Sequence, residues 1–490
     1  MTTTPGPNRH DARGALIGRD LPIRRDHLYI DGDFRPASGT YTVIDPATAR
    51  PMGQAPAGTA ADIDRAVAAA RRAFDTGPWP HLPAAERAAF LARLAAAYRQ
   101  HSGHFAELII AQMGSPVSFT AQTTHPPAVL DFYAALADDD RLLHEERDGY
   151  LVHREPAGVV GIITPWNMPS KTIIMKLAPA LLAGCTAVIK PAPQTPFDAL
   201  ALIDLIDWLD LPPGVVNVVT TPSNSVAERL VTHPGVDKIA FTGSTATGAL
   251  IAALCGADIR RVSLELGGKS AMIVTEDADV HAAIATVPAQ SLANSGQICS
   301  NLTRIIAHTA VYADVLDALD SVFDRLTVGD PADPATDIGP LAFEAQLDRA
   351  AAHIAQAIGE GATLRRGATI LRRDGHYLQP GILTTDDPRN HAFRVEIFAP
   401  VLTVTPYIGD DHAIELANAT PYGLDGCIWT ADPGRALHMA SRIRSGTVRV
   451  NGAEPPVHAP LGGYKRSGIG RELGPEGLAA YLETKVVATA

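Results

Sequence analysis

The chain has 490 residues, of which 46% are hydrophobic, so it is too long for a single core and two or more packed domains are expected. Its 53 acidic against 41 basic side chains give a formal charge of -12, and no basic run is interleaved with aromatics, which excludes a nucleic-acid binder and favours a small-molecule ligand. The four cysteines, at 185, 255, 299 and 427, form no Cys-x-x-Cys pair, which argues against a disulfide framework and a structural metal.

Residues 1–20 are rich in Thr, Pro, Gly and Arg and lack the apolar core of a signal peptide, so they read as a mobile N-terminal extension of a cytoplasmic protein. No stretch is apolar and long enough to predict a membrane span. Residues 28–34 predict a hairpin about a Gly-containing turn, and Thr59-Ala-Ala-Asp62 predicts the start of a helix over 61–74. An Ala-rich pattern over 83–113 predicts one long helix, stopped by Gly114-Ser-Pro116.

From Gly158 onward, short apolar strands alternate with helical segments. Strands are expected at 159–163, 187–190, 215–219, 238–241 and 261–265, the pattern of a doubly wound parallel α/β sheet. A second α/β unit starts near Lys269 with a strand at 271–274 and an Ala-rich helix leading towards Asn294. Residues 150–153 and 480–487 are strand-like yet belong to neither core, which makes them candidates for an intersubunit sheet.

The chemistry concentrates in a few segments. Cys299, in Gly296-Gln-Ile-Cys299-Ser300, is a candidate thiolate nucleophile, and Glu265, in Glu265-Leu-Gly-Gly-Lys-Ser270, is a candidate base to activate the water that releases a thioester. Phe241-Thr-Gly-Ser-Thr-Ala-Thr-Gly248 joins a strand to a helix, so Gly243 admits close backbone approach and Ser244 opens a helix N-terminus suited to phosphate; an ordinary βα turn has the same form. Gly268-Lys-Ser270 is not a phosphate loop, because the glycine required five positions earlier is Ser263. In Thr164-Pro165-Trp166-Asn167-Met168-Pro169 the prolines fix a loop from which Asn167 can offer its amide to an oxyanion, or which serves only as a packed turn. Lys190 ends a strand, where open α/β sheets bind ligands.

Taken in order, these segments, with Glu396-Ile-Phe-Ala-Pro-Val401 and Gly462-Gly-Tyr-Lys-Arg-Ser-Gly468, resemble the aldehyde dehydrogenase superfamily across about 28–485. The resemblance implies an α/β, aldehyde dehydrogenase-like fold with three parts. These are a doubly wound parallel-sheet cofactor domain (21–135 and 156–268), an α/β catalytic domain (269–455), and a small β oligomerisation arm with the C-terminal segment (136–155 and 456–490) of a homodimer or homotetramer. It further implies oxidation of an aldehyde to a carboxylic acid with hydride transfer to NAD(P). Cys299 would form the thiohemiacetal and thioester, Asn167 and the Cys299 N–H would hold the oxyanion, Glu265 would activate water, and Lys176 would serve the proton path near Glu265 or help position the loop. The cofactor would meet Thr164, Pro165, Trp166, Lys190, Gly243, Ser244, Leu266, Gly267, Glu396 and Phe398. No metal is implied. The other three cysteines read as small core residues.

Several positions depart from the family pattern. Pro193 stands where many NAD-preferring relatives carry Glu, so NAD is favoured and NADP stays open. Met168, Met175 and Ala293, with Ile298 and Ser300 beside the nucleophile, imply a roomy channel for a medium or bulky apolar aldehyde. The loop 452–458 offers no aromatic clamp, His458 reads as a solvated loop residue, and Pro475 gives no ground for a relay in 472–476. Two rival readings remain: a CoA-acylating dehydrogenase, against which Glu265 speaks, and a non-catalytic binding or structural member of the fold, against which the Cys299, Glu265 and Asn167 set speaks.

Overall fold

The computed structural model describes residues 23–137 and 144–488. The predicted extension over 1–20 and part of the first arm segment lie outside the described residues. His27–Ile30 and Asp33–Pro36 pair antiparallel across Asp31 and Gly32, both with positive φ (60° and 77°), the twist that a two-residue hairpin requires. Helix Ala60–Asp75 opens with the expected capping box, Thr59 accepting from the Asp62 N–H while Asp62 accepts from the Thr59 N–H.

The single long helix expected over 83–113 is in fact two, Ala84–Gln100 and Ser102–Met113. His101 leaves helical geometry (φ -107°, ψ 14°) and at once caps the first helix and starts the second. The poor helix formers Ser102 and Gly103 follow it, so the alanine pattern continues while the axis changes. Gly114, with φ 75°, ends the pair.

The largest sheet among the described residues runs, in space, Gly468–Ile469, Arg261–Glu265, Lys238–Thr242, Val159–Ile163, Thr186–Lys190, Val216–Val218, His27–Ile30 and Asp33–Pro36. Its central strands are parallel, and Val159–Ile163 and Thr186–Lys190 are buried at every position, as strands covered on both faces must be. The chain winds outward from Val159–Ile163 to Val216–Val218, then returns to build Lys238–Thr242 and Arg261–Glu265 on the other side. Strand order therefore reverses between Val159–Ile163 and Lys238–Thr242, where such sheets open a crevice at their carboxyl ends.

A second sheet orders Thr363–Arg366, Gly381–Thr384, Val401–Tyr407, Arg304–His308, Ala271–Val274, Gly426–Trp429 and Arg449–Val450, parallel except at Thr363–Arg366. The helix expected before Asn294 resolves into two short ones, Val280–Ala285 and Val287–Gln290, the second starting with a proline at its second position. Tyr150–Pro156 and Leu482–Ala488 pair with each other, antiparallel from Leu482 opposite Pro156 to Ala488 opposite Tyr150, with His144–Arg147 completing a three-stranded arm. A small sheet of Ile23–Arg24, Arg50–Pro56 and Thr40–Asp45 has no counterpart among the sequence expectations. No helix among the described residues is long and apolar enough to cross a membrane.

Candidate active site

Register places the sequence-predicted residues in one row. Thr242 lies opposite Glu265, Phe241 opposite Ile163, and Ile163 opposite Lys190, so the carboxyl ends of adjacent strands present Glu265, Thr242, the Thr164–Asn167 loop and Lys190 side by side at the switch point.

The candidate nucleophile, Cys299, follows an unusual loop. Asn294, Ser295 and Gly296 are all left-handed, at φ 53°, 58° and 75°. At Gly296 a Cβ would stand 2.2 Å from the Ala399 carbonyl oxygen, so glycine is required there on two counts. Segment 339–342 pins the loop: Gly339 N–H donates to Ser295 Oγ at 2.9 Å and Ala342 N–H to Gln297 Oε1 at 3.0 Å. Cys299 is partly exposed, whereas Cys185, Cys255 and Cys427 are buried. Burial, then the charges of Glu396 and Glu265, push the Cys299 thiol up to about 12; Lys171 and the Cys299 N–H act the other way. That N–H makes no backbone hydrogen bond among the described residues.

Asn167 faces this loop. Its Nδ2 donates to the Gln297 carbonyl at 2.8 Å, which fixes the amide orientation and leaves the second Nδ2 proton for a ligand. Its own carbonyl accepts from Gln122 Nε2 at 2.9 Å and Asn294 Nδ2 at 3.0 Å, so the donor is held on both sides. A rigid amide beside a thiol and an unpaired N–H is what an oxyanion site needs.

Glu265 is buried, and its Oε1 lacks a hydrogen-bond partner. Burial, and next the negative charge of Glu472, hold its carboxyl well above the usual carboxylate range, against the pull of Lys176 and Arg471. Lys176, fully buried, donates to Thr242 Oγ1 at 2.6 Å and is ion-paired with Glu472. Glu472, in the segment where Pro475 gave no ground for a relay, belongs to the Glu265 cluster. No sequence signal marked it, because the pair closes across 296 positions. The glycine-rich segment 462–468 clamps the same strand, with Leu266 N–H donating to the Ser467 carbonyl at 2.8 Å and Ser467 Oγ to the Gly267 carbonyl at 2.7 Å.

The sequence profile of the aldehyde dehydrogenase family matches residues 34–487. The chain is 40% identical to the geranial dehydrogenase of Castellaniella defragrans over 95% of this chain and 99% of that protein. A crystal structure of a Mycobacterium tuberculosis aldehyde dehydrogenase complexed with NAD+ superposes with a TM-score of 0.93 at 38% identity, covering 96% of this chain and 99% of that one. A mutant aldehyde dehydrogenase C from Pseudomonas syringae, complexed with NAD+ and octanal, gives 0.92 at 36% identity, over 94% and 96% of the two chains. The chain belongs to the aldehyde dehydrogenase family.

The candidate cofactor residues of this aldehyde dehydrogenase can be taken in turn. Lys190 is buried, which pushes it down to about 8, and no acceptor among the described residues bonds its amino group. Thr164 Oγ1 is buried without a partner, and the half-buried Pro165 and Trp166 follow it. Trp166 meets Phe398 edge-on at 5.4 Å, and Phe398 itself has φ 56°. Glu396 Oε1 accepts from the Gly268 N–H at 3.1 Å, and a Cβ at Gly267 would lie 2.2 Å from Glu396 Oε2, so the carboxylate is seated on that glycine turn. Burial pushes Glu396 up to about 7. Ser244 caps helix Thr245–Ala257, its Oγ accepting from the Thr247 N–H at 3.2 Å, while Leu266 packs where a Cβ on Gly248 would stand. Orphaned polar atoms, a helix N-terminus and close-packed glycines fit a dinucleotide.

The candidate substrate residues divide. Met168 is buried and Met175 packs into the apolar core, Ala293 and Ser300 are half-buried, and Ile298 lines a cavity shared with Glu396 and Phe398. The 452–458 loop carries no aromatic of its own, and exposed His458 stacks on Phe132 of helix Ala121–Leu136 at 5.1 Å and 10°.

Proposed function

We propose that this aldehyde dehydrogenase oxidises a medium-sized aldehyde with an apolar body to its carboxylate, using NAD, by the following division of labour. Cys299 Sγ attacks the carbonyl carbon, its proton passing by way of Glu265 to bulk water so that Glu265 is ionised again, and the carbonyl oxygen becomes an oxyanion. Asn167 Nδ2 and the Cys299 N–H receive that oxyanion. A bound NAD supplies the hydride acceptor. Loss of hydride re-forms the C=O bond as a thioester on Cys299; Glu265 then takes a proton from water, the hydroxide adds to the carbonyl, and the C–S bond breaks to release carboxylate and thiol. Lys190, the N-terminus of helix Thr245–Ala257 and Glu396 seat the dinucleotide. NAD rather than NADP fits a site in which no arginine was evident near Pro193 to pair a phosphate.

The observation that carries this reading is the juxtaposition of a partly exposed thiol, a fixed amide proton and a separate buried carboxyl. That separate carboxyl favours hydrolysis over transfer to CoA. The experiment is an aldehyde panel followed at the NADH absorbance with NAD and NADP in parallel, with and without CoA, on wild type and Cys299→Ala. Turnover is expected with NAD, without a requirement for CoA, and lost in Cys299→Ala. Undiminished turnover in the variant would sink the mechanism, and acetaldehyde far exceeding geranial or benzaldehyde in kcat/KM would sink the apolar body.

A further inference from the structure

Gly268-Lys-Ser270 is not a phosphate loop, yet its lysine, Lys269, is buried to 1% exposure. Three other buried lysines are accounted for: Lys176 pairs with Glu472, Lys238 donates to Ser263 Oγ at 2.6 Å, and Lys190 lies among the candidate cofactor residues. The Lys269 ammonium has no hydrogen-bond partner among the described residues. Nearby Arg304 is already answered, by the carbonyls of Lys269, Leu416 and Ala417 at 2.8, 2.9 and 3.0 Å. A desolvated ammonium is costly to hold without a counter-charge, so the carboxylate nearest to it matters.

That carboxylate is Glu396. Lys269 and Glu396 line one cavity with Gly268, Thr303, Ile397 and Val401, and the backbone ties them to it: Glu396 Oε1 accepts from the N–H of Gly268, the residue before Lys269, at 3.1 Å. The ammonium bonds neither carboxylate oxygen directly, so the two charges act on each other across the cavity. Burial, then Arg304, push Lys269 down to about 7 while Glu396 resists; burial pushes Glu396 up to about 7 while the Gly268 N–H and Lys269 resist. The other titratable groups around the pair are His353 of helix Glu344–Gly359 and His391 of helix His391–Arg394, which bond each other at 2.7 Å, and Cys299 and Tyr422 on the side of Glu396. Burial lowers both imidazoles, so neither supplies the charge that Glu396 lacks.

We propose that Lys269 is a positioning residue for cofactor binding: across the cavity from Glu396, its ammonium keeps that carboxylate ionised and able to accept from hydroxyls of the dinucleotide. This rests on Glu396 belonging to the cofactor site. An ionised carboxylate accepts at both oxygens, whereas a protonated one carries a proton that it must donate. Near neutrality the pair holds about one proton between its two groups, and binding draws that proton onto Lys269, leaving Glu396 fully charged. In alkaline solution Glu396 is ionised with or without its partner, so the help of Lys269 is confined to neutral and acid pH.

The test is the Kd of NAD, measured by calorimetry across pH on wild type, Lys269→Met, Lys269→Gln and Lys269→Arg, and on Glu396→Gln alone and combined with Lys269→Met. Lys269→Met and Lys269→Gln are expected to weaken NAD binding by roughly 10-fold at about pH 6.5 and to match wild type within about 2-fold at about pH 9, since each unit by which Glu396 rises is a factor of ten. Lys269→Arg should keep the wild-type pH dependence. At about pH 7.5, titrations in two buffers of different ionisation enthalpy should show Lys269→Met releasing more protons on binding than wild type. Once Glu396 is replaced by Gln, removing Lys269 should cost nothing further. A loss of equal size at every pH, or an undiminished cost of Lys269→Met beside Glu396→Gln, would make Lys269 a purely structural residue and overturn the proposal. NAD affinity unchanged in Glu396→Gln would instead overturn the place of Glu396 in the cofactor site.

Discussion

In the proposed mechanism, Asn167 and Glu265 are two ordinary side chains whose reactivity would come from what surrounds them. Asn167 spends one amide proton on Gln297 and has its carbonyl held by Gln122 and Asn294, so its remaining proton points at a fixed place without reorganisation. Asn167→Ala is expected to lower kcat by roughly 10²–10³, measured in steady state with saturating aldehyde. Glu265 is a base only when ionised, and its raised carboxyl means that deacylation increases as pH rises through that elevated value. Because the Glu472 charge is the largest contribution after burial, Glu472→Gln should let Glu265 ionise at lower pH and move the acid limb of the kcat profile downward. An unmoved limb would remove Glu472 from the electrostatics of the base.

Among the elements, the loop before Cys299 is the most demanding. Gly296→Ala brings a methyl against the Ala399 carbonyl at a left-handed position and should cost roughly 1–3 kcal/mol, with activity lost beyond what the fall in Tm explains. A calorimetric scan beside a kinetic assay checks both. The strands that end in Ile163 and Lys190 were legible in the sequence because fully buried parallel strands are nearly continuous apolar runs, and the polar residues Lys190, Thr242 and Glu265 end their strands at the crevice. The break at His101 was not legible, since alanine favours helix on either side of a bend and only the packing of two separate helices decides where the axis turns.

For the whole molecule, the arm leaves Leu482–Ala488 as an outer strand, with Val486 62% exposed on it. An unpaired apolar edge of this kind asks for a partner. Val486→Asp should therefore reduce the assembled species in light scattering, and an unchanged mass would remove this edge from the interface. The sequence marked both strands as foreign to either core; it held no sign that they pair with each other, because antiparallel partners so far apart share no local pattern. The same distance governs when the enzyme becomes an enzyme. The Glu265 strand is edged by Gly468–Ile469, its turn is held by Ser467, and Lys176 receives its counter-ion from Glu472. A chain that has emerged only as far as Cys299 would therefore hold every reacting atom of the proposed mechanism and still lack segment 462–472, the pin that seats its base.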